Sequence, residues 1–166
     1  DDRAGLSPAF VAAAEAAAHG CQQVIWLDGA EHRWVEECGT MNILFITADG
    51  DLLTPELTGT ILDGVTRDSI LTLAPEHGLR PVQRRIAIDE VFAGVTSGAI
   101  TEVLACGTAA VVTPIVGFGA PGVNGADQRY TVGDGRPGPL SQAIRAHLLD
   151  VQYGRVEDRY GWLQRV

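Results

Sequence analysis

The chain contains no lysine. All 12 of its basic residues are arginine, at positions 3, 33, 67, 80, 84, 85, 129, 136, 145, 155, 159 and 165, so no side chain in it can form a Schiff base with a carbonyl. Charge is one-sided as well: 21 Asp and Glu residues give a formal net charge of −9. With no basic run, neither a nucleic acid nor an anionic membrane surface is the expected partner. Apolar runs are short. None approaches the roughly 18 residues of a membrane helix, and the opening DDRAGLSP has no secretory pattern, so a cytoplasmic location is expected. Cys21, Cys38 and Cys106 are few, odd in number and scattered. They argue for reduced thiols packed as small hydrophobes rather than a disulfide framework or a zinc site. His19, His32, His77 and His147 share no metal-ligand spacing, so no metal is expected and they are assigned surface or helix-end roles. GxGxxG and P-loop lysine motifs are also missing.

What is present is 46% hydrophobic and 20% charged over 166 residues, enough for one domain with a full core. SPAFVAAAEAAAHG (7–20) reads as a helix with Ser7 as N-cap and Gly20 as stop. QVIWLD (23–28) and HRWVEE (32–37) read as a hairpin, MNILFIT (41–47) as a strand and LLT (52–54) as its short return. A helix follows from about Thr66 to His77, then a strand at 81–88 and a helix at 89–98 capped by Asp89. Two buried strands, 101–107 and 109–119, are joined at Gly107-Thr108. The glycine-rich stretch 117–136 offers a lid or a long connection, and a last helix runs from about Pro139 to Tyr153. Strands and helices interleave with hairpins, which predicts a mixed-sheet α/β pseudo-barrel in a single domain, 1–166.

Three stretches invite chemistry. Glu36-Glu37 ends a hairpin strand, and alternation turns one carboxylate inward, where it needs a cation or a proton. ILDGVTRDSIL (61–71) delivers an Asp-Gly turn into the start of a helix, whose first amides lack internal partners and favour an anion. Cys106-Gly107-Thr108-Ala109-Ala110 is a turn whose amides and hydroxyl could form a second anion site.

The same pieces, in the same order, resemble the branched-chain amino-acid aminotransferases, the fold-type IV enzymes that use pyridoxal phosphate. The matching text is EAAAHGCQQVIWLDGAEHRWVEECGTMNILF, LTPELTGTILDGVTRDSILTLA, RRIAIDEVFAG, ACGTAAVVTP and GDGRPGPLSQAIRAHLLDVQYGRVEDRYGW. The resemblance covers nearly the whole chain and corresponds to the family's C-terminal, cofactor-holding domain; the N-terminal domain that closes one side of the site has no counterpart. It implies that Glu37 pairs with the pyridine nitrogen and that the hydroxyl of Thr40 lies near the reacting adduct. Leu62, Gly64, Val65 and Thr66 match the phosphate cup, and Thr108 a further phosphate ligand. Ala109 and Ala110 match the turn that receives the substrate carboxylate. A redox CxxC pair of some members begins at Cys106, but its second position here is Ala109. A homodimer with a small amino-acid-like substrate is implied.

Two departures shape the expected function. Counting back without gaps from His19-Gly20, the family's lysine falls on Asp1, and the segment around it reads DDRAGL. Asp63 also stands where the cup usually has proline, placing a negative charge beside an expected phosphate. The first expectation is therefore an enzyme working without a cofactor, in which Glu37 and Thr40 run acid/base condensation, cyclisation of the Pictet–Spengler kind or isomerisation in specialised metabolism. The amide cups would then hold substrate anions. The alternatives are a fragment of a genuine pyridoxal-phosphate-dependent branched-chain aminotransferase, and a non-catalytic binding subunit.

Overall fold

A computed structural model describes residues 8–122 and 126–164. The expected cap Ser7 and the lysine-equivalent Asp1 lie outside them; helix α1 is described from Pro8 to Ala18. The centre is the apolar run MNILFIT, strand β3 (Met41–Thr47), whose residues 42 to 46 are all buried. A strand buried on both faces has no solvent for its backbone groups and must be paired along both edges. One edge of β3 runs antiparallel to β6 (Ile100–Gly107), from Asn42↔Cys106 to Thr47↔Ile100. The other edge is shared. Its beginning pairs with β2 (Val35–Cys38) through Glu37↔Asn42 and Cys38↔Met41, and its end with β4 (Asp51–Thr54) through Phe45↔Leu53 and Ile46↔Leu52. The sheet forks between them. At the throat of the fork Thr54 Oγ1 donates to Ile43 O at 2.9 Å, and the chain then leaves β4 for the site.

Outside the fork, β1 (Ile25–Leu27) pairs antiparallel with β2, and β5 (Arg80–Gln83) pairs parallel with β4. Beyond β6, β7 (Val111–Ile115) completes seven strands. The expected pseudo-barrel is an open, forked sheet; no closed barrel forms among the described residues. After β5 the chain meets β2 again at one bridge, Trp34↔Ala87, flanked by Val35 N–Ile86 O and Ile88 N–Arg33 O at 2.9 Å each. Continuous closure fails at β5, which contains Pro81 and is exposed at three of its four residues, the pattern of an edge strand.

Alternation along β3 sorts the core into two layers. Leu44 and Ile46, with Leu104 of β6, pack against Ile70 and Leu73 of α2 (Val65–Leu73) and Ile144 and Leu148 of α4 (Pro139–Gln152). Ile43, Phe45 and Val103 face the opposite way, against Val91 and Val95 of α3 (Ile88–Ser97) and Phe118 of β8 (Gly117–Ala120).

Several expected boundaries move, each for a local reason. The helix at 66–77 stops at Leu73 and tightens into a 3-10 turn over Ala74–His77, because Pro75 has no N–H to donate. The strand at 81–88 ends at Gln83, since Ala87 already caps α3; Asp89 sits inside the first turn instead of capping it. The strand at 109–119 splits into β7 and β8. The stretch read as a loop supplies β9 (Gln128–Thr131), which pairs with β8 from Gly117↔Thr131 to Ala120↔Gln128. The stacking of Tyr130 on Phe92, centroids 4.2 Å apart, anchors this hairpin to α3. No described helix is long and apolar enough to cross a membrane.

Candidate active site

Directly paired residues on neighbouring strands share a face of the sheet. The registers Glu37↔Asn42, Asn42↔Cys106 and Cys106↔Val112 therefore make one row across β2, β3, β6 and β7, on the face covered by α2 and α4. Glu37 stands at the fork end of that row, half-buried.

From the fork, loop 55–64 crosses to the same end. Leu62 is held from both sides: its N–H donates to Glu37 Oε1 at 2.9 Å, and its carbonyl accepts from Asn42 Nδ2 at 2.8 Å. Gly64 then caps α2 in extended geometry (φ −78°, ψ 129°) with no capping side chain, and the first α-helical turn closes with Asp68 N to Gly64 O at 3.0 Å. The amides of Val65 and Thr66 are left without intrahelical partners, at the positive end of the helix. Gly64 is set by close approach and not by φ: a Cβ there would meet Asn42 Oδ1 and force that amide to shift. Leu62 and Val65 flank the cup with their side chains 67% and 83% exposed, so apolar surface is left open around it.

The remaining expected site residues occupy the turns at this end of the sheet. Thr40 lies exposed in the turn between β2 and β3, and Thr108, Ala109 and Ala110 form the turn between β6 and β7. Asn42↔Cys106 is the pair nearest both turns, so the register sets them side by side. No hydrogen bond among the described residues joins either turn to Glu37 or the cup. Val111, which follows the second turn, has φ 58°, a strained conformation for a β-branched residue.

One sequence expectation is corrected. Neither Glu36 nor Glu37 turns into the apolar core: both are half-buried and both hold the crossing loop, Glu36 Oε1 accepting from Thr60 Oγ1 at 2.6 Å. Asp63 is exposed, and its charge acts on the neighbouring Arg67, whose pKa is pushed down by burial and partly restored by Asp63. Cys38 and Cys106 are buried as expected, with burial pushing their thiols up to about 11 and about 12. Among the described residues no group of three or more His, Cys, Asp or Glu could hold a metal ion. His77 and His147, 70 residues apart, nevertheless meet at 3.1 Å, a contact no local spacing reveals.

Sequence reasoning missed Asn42 and Arg67. Arg67 is 2% exposed; it donates to Pro55 O at 3.0 Å and Gln83 Oε1 at 2.7 Å, while its Nε has no partner among the described residues. The signal for Asn42 was in plain view: an amide inside an apolar strand costs free energy unless something uses it.

Residues 5–118 match the model of the amino-transferase class IV family. The chain belongs to that family. Among curated class IV relatives, the branched-chain-amino-acid aminotransferase of Mycobacterium tuberculosis is 46% identical over 160 residues, covering 95% of this chain and 42% of its own length. Of solved structures, the Escherichia coli branched-chain amino acid aminotransferase superposes with TM-score 0.73 at 31% identity, over 95% of this chain and 46% of that one. The Thermobaculum terrenum enzyme, solved in its PLP-form (holo-form), gives TM-score 0.75 at 29% identity over 94% and 45%. This chain therefore spans less than half the length of these class IV aminotransferases, and its mixed α/β fold is that of the part it spans.

Proposed function

We propose that the chain is the cofactor-holding part of a branched-chain aminotransferase and grips pyridoxal phosphate at both ends. The observation that carries this reading is the 2.9 Å bond from Leu62 N–H to Glu37 Oε1. It seats an uncapped helix start against a carboxylate whose second oxygen accepts no hydrogen bond among the described residues. A protonated, cationic ring nitrogen suits the carboxylate, and a dianion suits the amides; the donor set fits a phosphorylated pyridine. The fit favours a bound cofactor over the cofactor-free chemistry first expected, and relatives solved with PLP or with pyridoxamine 5'-phosphate support the same choice.

When bound, such a group supplies an electron sink for charge developing beside the substrate nitrogen. In this reading Glu37 holds a proton on the ring nitrogen. The amides of Val65 and Thr66 and the hydroxyls of Thr66 and Thr108 take the phosphate, at the helix start that Gly64 caps. Leu62 covers an apolar ring face. Thr40 lies near the substrate, and the Ala109 and Ala110 amides orient its carboxylate. With no lysine among the 166 residues, the grip these residues supply is non-covalent. Pairing of two chains is part of the proposal, and light scattering tests it.

Calorimetric titration of pyridoxal phosphate is the direct test, with 31P resonances followed in parallel. Saturable binding is expected. No binding up to about 10 mM, where even weak sites fill, would sink the proposal.

The missing lysine favours a second reading, in which Glu37 performs cofactor-free acid/base chemistry on a substrate anchored in the cup. That reading fails if Glu37→Gln leaves turnover of the native substrate unchanged.

A further inference from the structure

Asn42 is a buried polar group that the proposed function leaves unused. It is 6% exposed, lies within an apolar strand, and stands where the segments of the site meet. Across one edge its partner is Glu37; across the other it is Cys106, two residues before Thr108. Glu37 and Asn42 share a face and grip the same residue: Glu37 takes the N–H of Leu62 and Asn42 donates to its carbonyl. Two residues later Gly64 rests against Asn42 Oδ1 so closely that a Cβ would force that amide to shift. Asn42 therefore touches both sides of the cup's first turn, while Glu37 touches one.

We infer that Asn42 is a positioning residue that fixes the span between Glu37 and the anion cup, so that a ligand with a ring nitrogen at one end and a phosphate at the other engages both together. The inference rests on the reading of Glu37 and the cup as the two ends of one cofactor site. Its physical content lies in the linkage. A two-ended ligand outbinds its halves only where its length matches the distance between their sites. Loosening that distance penalises the two-ended ligand and spares each half. A residue needed only for folding weakens all three alike.

The test titrates pyridoxal phosphate, inorganic phosphate and pyridoxal into the full 166-residue chain, as wild type, Asn42→Leu and Asn42→Ser. Amide exchange at Leu44 and Phe45 reports on the fold and exchange at Leu62 on the clamp. Expected are a loss of at least about tenfold in pyridoxal phosphate affinity, changes under about threefold for the two half-ligands, and faster exchange at Leu62 alone. Parallel weakening of all three ligands, an unchanged ratio, or failure of both variants to fold overturns the positioning role while leaving the cofactor reading in place. A wild type that binds pyridoxal phosphate no more tightly than inorganic phosphate overturns the two-ended reading and this inference with it.

Discussion

Helices α2 and α4 start in the same way and end up differently furnished. Both are capped by an extended glycine, Gly64 and Gly138, and in both cases a Cβ would collide with a side chain rising from the sheet. At α4 that side chain is Glu102, 6% exposed. Its Oε1 accepts from Leu140 N at 3.0 Å, and its Oε2 accepts from Ser141 N at 2.8 Å and Ser141 Oγ at 2.6 Å. At α2 the side chain is the neutral amide of Asn42, while Glu37 accepts from the loop residue Leu62 and the local acids Asp63 and Asp68 are exposed. One helix start has its anion built in. The other has the same backbone geometry without a buried carboxylate bonded to its amides among the described residues. An internal carboxylate serves architecture, and an open amide cradle on the same sheet face is free for a ligand.

The largest effect should come from emptying the closed end. Glu102→Ala removes three charge-assisted hydrogen bonds and leaves buried donors unpaired, which should cost about 3 kcal/mol in urea unfolding and leave phosphate binding at α2 intact. A cost below about 1 kcal/mol would erase the contrast. The converse change closes the open end. Asn42→Asp places a carboxylate where α4 has one, and phosphate affinity should fall at least about tenfold by like-charge opposition, read by 31P line shape. Third, Glu37→Ala should cost about 1 kcal/mol or less in stability, since one hydrogen bond is lost. It should weaken pyridoxal phosphate at least about tenfold while changing inorganic phosphate less than about threefold.

Two smaller effects mark the borders of these regions. Cys106 lies on the Glu102 face, sealed in the core, and Cys38 is sealed in the opposite layer. Burial raises both thiols, from an ordinary 9.0 to about 12 and about 11. Their stabilising contribution is therefore complete below pH 9.0 and is lost as pH climbs through about 11 and then about 12. Replacing either with alanine should flatten the alkaline limb of a stability–pH curve, and in native protein a thiol reagent should reach half-buried Cys21 first. At the far end of α2, burial and His147 hold the pKa of His77 below its usual value. The unfolded chain then binds the extra proton more readily, so stability should decline as pH falls below about 6.5. His77→Gln should remove that slope by a few tenths of a kcal/mol.

Much of this was legible in the chain because local rules dominate. The apolar run 41–47 set β3 to the residue, and the Asp-Gly-Val-Thr turn announced an uncapped helix start. The site residues carried over by resemblance gather at one end of the sheet, Glu37 and Leu62 in direct contact. What stayed hidden depends on partners far along the chain. The fork of β2 and β4 on one edge of β3, the 42–106 pairing and the Glu102 cap on α4 span up to 64 residues, and no periodicity encodes them. The β8–β9 hairpin was missed because its glycines, which admit close backbone approach, look like loop composition. At Gly117 a Cβ would stand 3.0 Å from Tyr130 O.

Asp28 lies at the edge of the molecule, yet it reaches into this chemistry. Its carboxylate accepts four backbone N–H groups, from Ala30, Glu31, Arg33 and Trp34, at 2.7 to 3.2 Å, and those bonds hold its pKa far below the usual carboxylate range. Every donor lies within six residues, so this knot can tie before the rest of the sheet has been synthesised. It closes the turn that leads into β2, in which Glu37 stands opposite Trp26. The hairpin bulges between the pairs Trp26↔Glu37 and Leu27↔Val35, so that Val35 and Cys38, three residues apart, reach the same core layer while Glu37 pairs with Asn42 on the other face. A knot of local bonds thus stands at the base of the bulged hairpin that presents Glu37 to Leu62.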